Sequence, residues 1–166
     1  MAKPTDEQIA NWYPRLYRTA LRMTGSLEEA ADLTQQAVLR AMNKWETFNG
    51  RASRATWVFR ILVNCVQDWR RRQSRVPGPL PDEFALADAA PGPSGEASRQ
   101  EELQGLRRAI QGLPADLRAA LVLTVLDGYT YDEAAEMLGV PLGTVAFRVH
   151  ESRELLKAAL RPSSEV

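Results

Sequence analysis

An all-α fold, two small helical domains joined by a flexible linker and the second of them a helix-turn-helix, is what this sequence predicts, on three observations. Apolar residues recur at intervals of three and four almost everywhere. No alternation of period two survives anywhere. One interruption, Val76 to Ser98, holds five of the ten prolines and three glycines in 23 residues, and so divides the chain into 1–75, a linker over 76–98, and 99–166. The 166 residues are 45% hydrophobic and 25% charged, the composition of a folded soluble protein.

Charge and rare residues exclude several classes. Basic and acidic side chains number 21 each, so bulk attraction cannot drive contact with nucleic acid and local patches must. Residues 51–75 hold seven arginines against Asp68 alone, a local +6, whereas 76–102 hold six acids against Arg99, a local −5. One cysteine and one histidine exclude a disulfide framework and the usual zinc clusters, and no metal or cofactor is expected. The first ten residues are polar and no apolar run approaches ~18 residues, so neither a secretory leader nor membrane insertion is expected and a cytoplasmic location is.

The elements follow in order. Ile9, Tyr13, Leu16, Tyr17, Ala20 and Leu21 mark a first helix, with Pro14 a kink or a late start and Gly25 a stop. Ser26 to Glu29 reads as a capping box for a second, with Leu33, Ala37 and Ala41 inward. A third runs from about Ser53 to Gln73; Trp57, Ile61, Cys65 and Trp69, reinforced by Val58, Leu62 and Val66, make a stripe too wide for a surface helix, so this one is central. Leu103, Leu106, Ile110 and Leu113 mark a fourth. Pro114 opens a fifth carrying Leu117, Leu121, Val122 and Val125, closed by Gly128. Thr130 to Glu133 is a capping box for a short helix with Ala134, Ala135 and Leu138 inward, and after Gly139 a last helix runs from about Leu142 to Leu160. Domains of roughly 70 residues bury only about 60% of their unfolded surface, so a partner surface would help hold them.

Three surfaces are candidates for function. The last two helices have helix-turn-helix spacing, in which the second presents its N-terminal residues to the major groove. Val145, Val149, Ser152, Leu156 and Ala159 share its packing face, leaving Leu142, Thr144, Phe147, Arg148 and Glu151 elsewhere; Arg148 can pair with guanine or hold a phosphate, and Phe147 can touch a thymine methyl. On the third helix Arg60, Asn64, Gln67 and Arg71 share a face behind the basic loop from Phe48 to Arg54, with Trp57, Phe59 and Phe48 as stacking surfaces for unpaired bases. The alternative there is a solvated basic face with its aromatics in the core. Asp68 reads as a structural partner for an arginine. On the second helix Asp32, Gln35, Gln36, Leu39 and Asn43 line up away from the core, a leucine among amides that suits protein docking, or a plain wet face. Cys65 lies on the apolar stripe and His150 has no triad neighbour, so catalysis is not expected.

The run Asp32 to Ala41 with Trp45, then Phe48 to Arg51, Thr56-Trp57, Ile61, Asn64, Asp68 and Arg70 to Arg72, resembles the promoter-melting domain of extracytoplasmic-function sigma factors. Leu113-Pro114, Leu117-Arg118, Asp127 to Tyr131, Glu133 to Ala135, Leu138 to Pro141 and Gly143 to Val145 with Arg148 resemble the helix-turn-helix domain of the same family. The resemblance implies a dissociable subunit of bacterial RNA polymerase that directs promoter-specific initiation. It implies docking on the beta-prime clamp of the core enzyme through Asp32, Gln35, Gln36, Leu39 and Arg40, with the beta subunit also in contact. It implies capture of the minus-ten element by Asn49, Gly50, Arg51, Ser53, Arg54, Arg60, Asn64, Gln67 and Arg71. Reading of the minus-thirty-five duplex falls to Thr130, Leu142, Gly143, Thr144, Phe147, Arg148 and Glu151, and an anti-sigma factor is the expected inhibitor.

Departures from the family pattern are Ala146 and Phe147 ahead of Arg148, Glu151 in place of a usual basic residue, Arg54 where an aromatic is common, and Gln36 for a usual glutamate. Two other readings compete: a stand-alone helix-turn-helix regulator, and an interaction adaptor that has lost DNA binding.

Overall fold

The structure is a computed structural model, and it describes residues 3–74 and 94–161. Expectations for residues 76–93 of the linker lie outside the described residues. Its last five residues, 94–98, belong instead to a helix.

Helix α1 spans Asp6–Thr24 and α2 spans Leu27–Asn43, followed by a 3-10 turn at Trp45–Thr47. Helix α3 spans Arg54–Gln73 and α4 spans Ser94–Gln111. Helix α5, Ala115–Leu121, runs on into a π turn at Val122–Leu126; α6 is Tyr131–Leu138 and α7 is Leu142–Leu160. Helices are the only repeating structure among the described residues.

Local chemistry sets the ends. Thr5 and Gln8 form a reciprocal capping box, so α1 begins there and passes through Pro14 rather than starting after it. Gly25 ends α1 at φ 74°, a left-handed conformation glycine adopts without a Cβ clash. Ser26 accepts the amide of Glu29, which is half of the expected box. Ser53 caps α3, and Thr130 with Glu133 makes the full box on α6. Gly139, at φ 67°, ends α6 and makes the turn into α7.

Packing departs from two independent bundles. One apolar core runs from Leu16, Ala20, Leu33, Ala37, Leu62 and Val66 in the first half to Ala120, Leu123, Ala134, Met137, Val145 and Val149 in the second. Helix α3 is central as expected, packing on α1 and α2 and also on α6, and Phe59 meets Tyr129 with ring centroids 5.5 Å apart. The covering surface each half needs is therefore the other half. A small second cluster of Ile110, Leu113 and Leu121, with Leu106 and Leu156 beside it, holds α4 against α5 and α7.

One inward assignment is corrected: Ala159, placed on the packing face of α7, is exposed beyond its packed part. Leu103 and Val125, which mark helical periods, are exposed too. The π turn explains Val125: widening the helix by one residue per turn rotates the positions after Val122, so Leu123 rather than Val125 enters the core.

All four tryptophans precede the linker, and Leu123 is fully buried in the other half. Leu123→Ala should therefore lower stability by about 2–5 kcal/mol and shift the tryptophan-fluorescence transition in urea together with the circular-dichroism transition. A tryptophan transition that stays in place would show that the halves fold independently.

Candidate nucleic-acid interface

The basic loop before α3 is built by short-range bonds. Asn49 accepts the amide of Arg51 at 3.1 Å, Gly50 takes φ 74°, and the Ser53 hydroxyl lies 2.8 Å from that of Thr56. Arg54 sits over the Trp45 ring at 5.7 Å, within an aromatic group in which Trp45, Phe48 and Trp57 lie 5.2–5.6 Å apart. The stacking surfaces expected for bases are largely used up here: Phe59 and Phe48 are buried and Trp57 is half-buried. Large rings gain more from core burial than from standing free in water.

On α3, Arg60 and Asn64 are exposed and Gln67 is half-buried, so the expected face exists, but much of it is engaged. Arg60 pairs with Glu136 of α6 at 2.6 Å, Gln67 donates to the Leu138 carbonyl at 3.4 Å, and Arg71 pairs with Asp68 at 3.3 Å. Asp68 also faces Arg40 at 3.5 Å, which makes it the arginine partner expected.

A seam of one polarity joins the halves. Arg22 pairs with Asp127 at 2.7 Å, Arg60 with Glu136, and Arg70 with Asp116 at 2.8 Å; in each pair the first half supplies the cation and the second the carboxylate. The Thr19 hydroxyl also donates to Asp127 at 2.7 Å, and Gln111 donates to the Arg22 carbonyl at 2.8 Å. Sequence reading missed Thr19, Arg22, Asp116, Asp127 and Glu136. A signal was present for one of them: Thr19 interrupts the apolar face of Leu16, Ala20 and Met23, and a polar side chain there needs a partner.

The helix-turn-helix is formed as expected. Leu142, Gly143, Phe147 and Thr130 are exposed, and Thr144 and Glu151 are half-buried. A Cβ built on Gly143 would meet nothing within 4 Å, so no contact within the chain requires glycine there. Thr130 is committed to its cap, accepting the Glu133 amide at 3.2 Å and donating to its carboxylate at 3.1 Å. The Arg148 side chain is 19% exposed and lies 3.5 Å from Asp116, which Arg70 also holds. One carboxylate thus links the recognition helix to α3.

On α2, Asp32, Gln35, Gln36, Leu39, Arg40 and Asn43 are all exposed, Leu39 at 64%, so this face lies away from the core as the spacing predicts. Cys65 is buried, and desolvation raises its thiol pKa, in keeping with packing rather than nucleophilic use. Among the described residues no cluster of His, Cys, Asp and Glu could hold a metal ion, and no helix is long and apolar enough to cross a membrane.

Comparison with known proteins agrees with this geometry. Residues 9–76 match the family "Sigma-70 region 2" and residues 103–156 match "Sigma-70, region 4". The chain is 34% identical over 145 residues to the ECF RNA polymerase sigma-E factor of Escherichia coli K12, covering 81% of this chain and 75% of that protein. It is 33% identical over 162 residues to the ECF RNA polymerase sigma factor SigE of Mycolicibacterium smegmatis, covering 96% of this chain but 62% of that longer protein. Among solved structures, the sigma factor RpoE of Bartonella quintana in complex with the anti-sigma factor NepR superposes with a TM-score of 0.78 at 26% identity, over 95% of this chain and 96% of that one.

The Asp116 hydrogen bond to Arg70, with the charges of Arg70 and Arg148, holds its carboxyl below the usual range against a smaller opposing effect of burial. A pKa depressed in the folded state gives stability that is present above the unfolded value of about 3.9 and lost as pH falls through the folded one. Asp116→Asn should accordingly lower the urea midpoint at pH 7 and make little difference at pH ~2. Equal losses at both pH values would contradict the electrostatic role.

Proposed function

Because the chain belongs to the extracytoplasmic-function sigma factors, we propose that it joins core RNA polymerase and directs promoter-specific initiation, its first half melting the minus-ten element and its second reading the minus-thirty-five duplex. The observation that carries this reading is the pair of family regions, in order, on either side of the linker. Neither competing reading accounts for the melting half, and an open docking face suits the sigma factor best.

Leu39, surrounded by Asp32, Gln35, Gln36 and Arg40, offers the clamp an apolar centre with a polar rim. Asn64 is exposed on α3 and can meet base edges or an extruded base, while Asn49 to Arg54 and Arg60, Gln67 and Arg71 hold the strand. The start of α7 enters the major groove with Leu142, Gly143, Thr144 and Phe147 foremost, Arg148 and Glu151 behind them and Thr130 flanking. Exposed Phe147 favours an apolar element in that readout.

Energetics sets the order of events. Opening duplex DNA costs roughly 1.4 kcal/mol of stacking per base-pair step, and a small chain of zero net charge has little attraction to offset it. Polymerase supplies the surface, and the two halves become effective by being tethered on it. The seam covers part of α3, so Arg60, Gln67 and Arg148 must leave Glu136, Leu138 and Asp116 before they can reach DNA. An anti-sigma factor, the partner of the Bartonella relative, would act by holding the reading faces covered. The reaction chemistry belongs to the polymerase, in the cytoplasm, and this chain contributes recognition alone.

Runoff transcription with purified core polymerase tests the proposal: transcripts should appear from a cognate promoter only when the chain is added. Asn64→Ala should reduce permanganate reactivity at the promoter while leaving polymerase association unchanged, and Arg148→Ala should weaken upstream duplex binding by ~1–3 kcal/mol. Unchanged permanganate reactivity would remove Asn64 from the melting face.

A further inference from the structure

The seam contains a built anion site on α1, a helix to which no nucleic-acid role has been given above. Asp127 occupies it. The Thr19 hydroxyl donates to one oxygen of that carboxylate and Arg22 to the other, both at 2.7 Å. Thr19 is 1% exposed, so its hydroxyl is aimed at this one place and has no water to fall back on. Arg15 adds its field to the same carboxylate from above the Phe59 ring, 5.4 Å away.

The site has more positive charge than Asp127 balances. Arg15, Arg18 and Arg22 recur at three and four on one face of α1 and line, with Thr19, Phe59, Leu126 and Asp127, a cleft of about 270 Å³. Among the described residues no carboxylate stands within ion-pair distance of Arg15 or Arg18, so three guanidinium groups face one acid. The cleft is partly walled by apolar side chains, where such an excess attracts anions more strongly than on an open surface.

We propose that Thr19 and Arg22, with Arg15 and Arg18 beside them, form a binding site for the backbone phosphates of nucleic acid, and that Asp127 fills this site as an internal stand-in while the halves are closed. The bearer of the phosphates rests on the promoter reading above; the site rests on the geometry. A carboxylate and a phosphate both present two oxygens to paired donors, and the Thr19–Arg22 pair suits either. From Arg15 to Arg22 the helix rises about 10 Å, enough to follow about two successive phosphates of a single strand. Asp127 and a phosphate cannot share the Thr19–Arg22 donors, so nucleic acid and closure oppose each other, each weakening the other by the same factor.

The test uses the full chain without polymerase and a labelled single-stranded oligonucleotide, read by fluorescence anisotropy at low salt. Asp127→Asn should bind at least about fivefold more tightly than the unaltered chain. Adding Arg15→Ala and Arg18→Ala should abolish that gain and flatten the salt dependence by roughly one to two released counterions. Inorganic pyrophosphate should compete with the oligonucleotide on Asp127→Asn and lose that ability in the triple variant. Circular dichroism checks folding, and if Asp127→Asn does not fold, the Arg15→Ala/Arg18→Ala pair in the otherwise unaltered chain should still flatten the salt dependence. An Asp127→Asn chain that is folded and binds no more tightly, or arginine substitutions without effect on salt dependence, would overturn the proposal. Association with core polymerase, measured in parallel, reports separately on the sigma-factor reading.

Discussion

Helix α3 carries more apolar surface than α1 and α2 alone can cover, and the arrangement of the whole chain follows from where the remainder is buried. Val58, Leu62, Val66 and Phe59 are nearly or fully withdrawn from water, and the surface that completes their burial includes Tyr129 and helix α6 from the other side of the linker. At about 25 cal/mol per Å² of apolar surface, even a modest shared patch contributes several kcal/mol, comparable with the whole stability of a domain this small. Separation of the halves re-exposes that patch, so it has to be offset by surfaces gained on polymerase and DNA.

Polar groups around the patch determine register rather than strength. Arg60–Glu136 and Arg70–Asp116 are partly exposed pairs worth at most about 1 kcal/mol each. Asp127 differs, with a side chain only 10% exposed and two donors on its oxygens. Its burial raises its carboxyl pKa above the ordinary value, opposed by the Thr19 and Arg22 donors and the field of Arg15. The polarity of the seam also explains how a chain of zero net charge can carry strongly basic faces: its carboxylates stand on its own arginines until another polyanion replaces them.

Much of this was legible in the sequence, and the limits have physical reasons. Caps and period located α2, α3 and α6, because a serine or threonine before an apolar stripe acts within one turn of helix, and α7 was located by its own period after the Gly139 stop. The width of the α3 stripe showed that it was central. Periodicity, however, says which face is apolar and not what covers it, so the contact of Thr19 with Asp127, 108 residues away, left no mark beyond a polar residue in an apolar row. The exposed α2 face and the start of α7 were readable because residues that the core does not use fall off its period. The pairing of Arg148 with Asp116 left no mark for the same reason as the Thr19 contact, since its partner stands on another helix. The π turn was invisible because it arises from packing around Val122 and Leu123 and needs no glycine or proline to mark it.

The central claim is that the halves are closed on each other in the free chain and part on polymerase. A double electron–electron resonance distance between spin labels at Glu46→Cys and Arg153→Cys, two exposed sites in opposite halves, with Cys65 replaced by alanine, tests it directly. One narrow distance in the free chain that lengthens on adding core polymerase is the predicted result. A broad distribution in the free chain, or an unchanged distance in the complex, would contradict it.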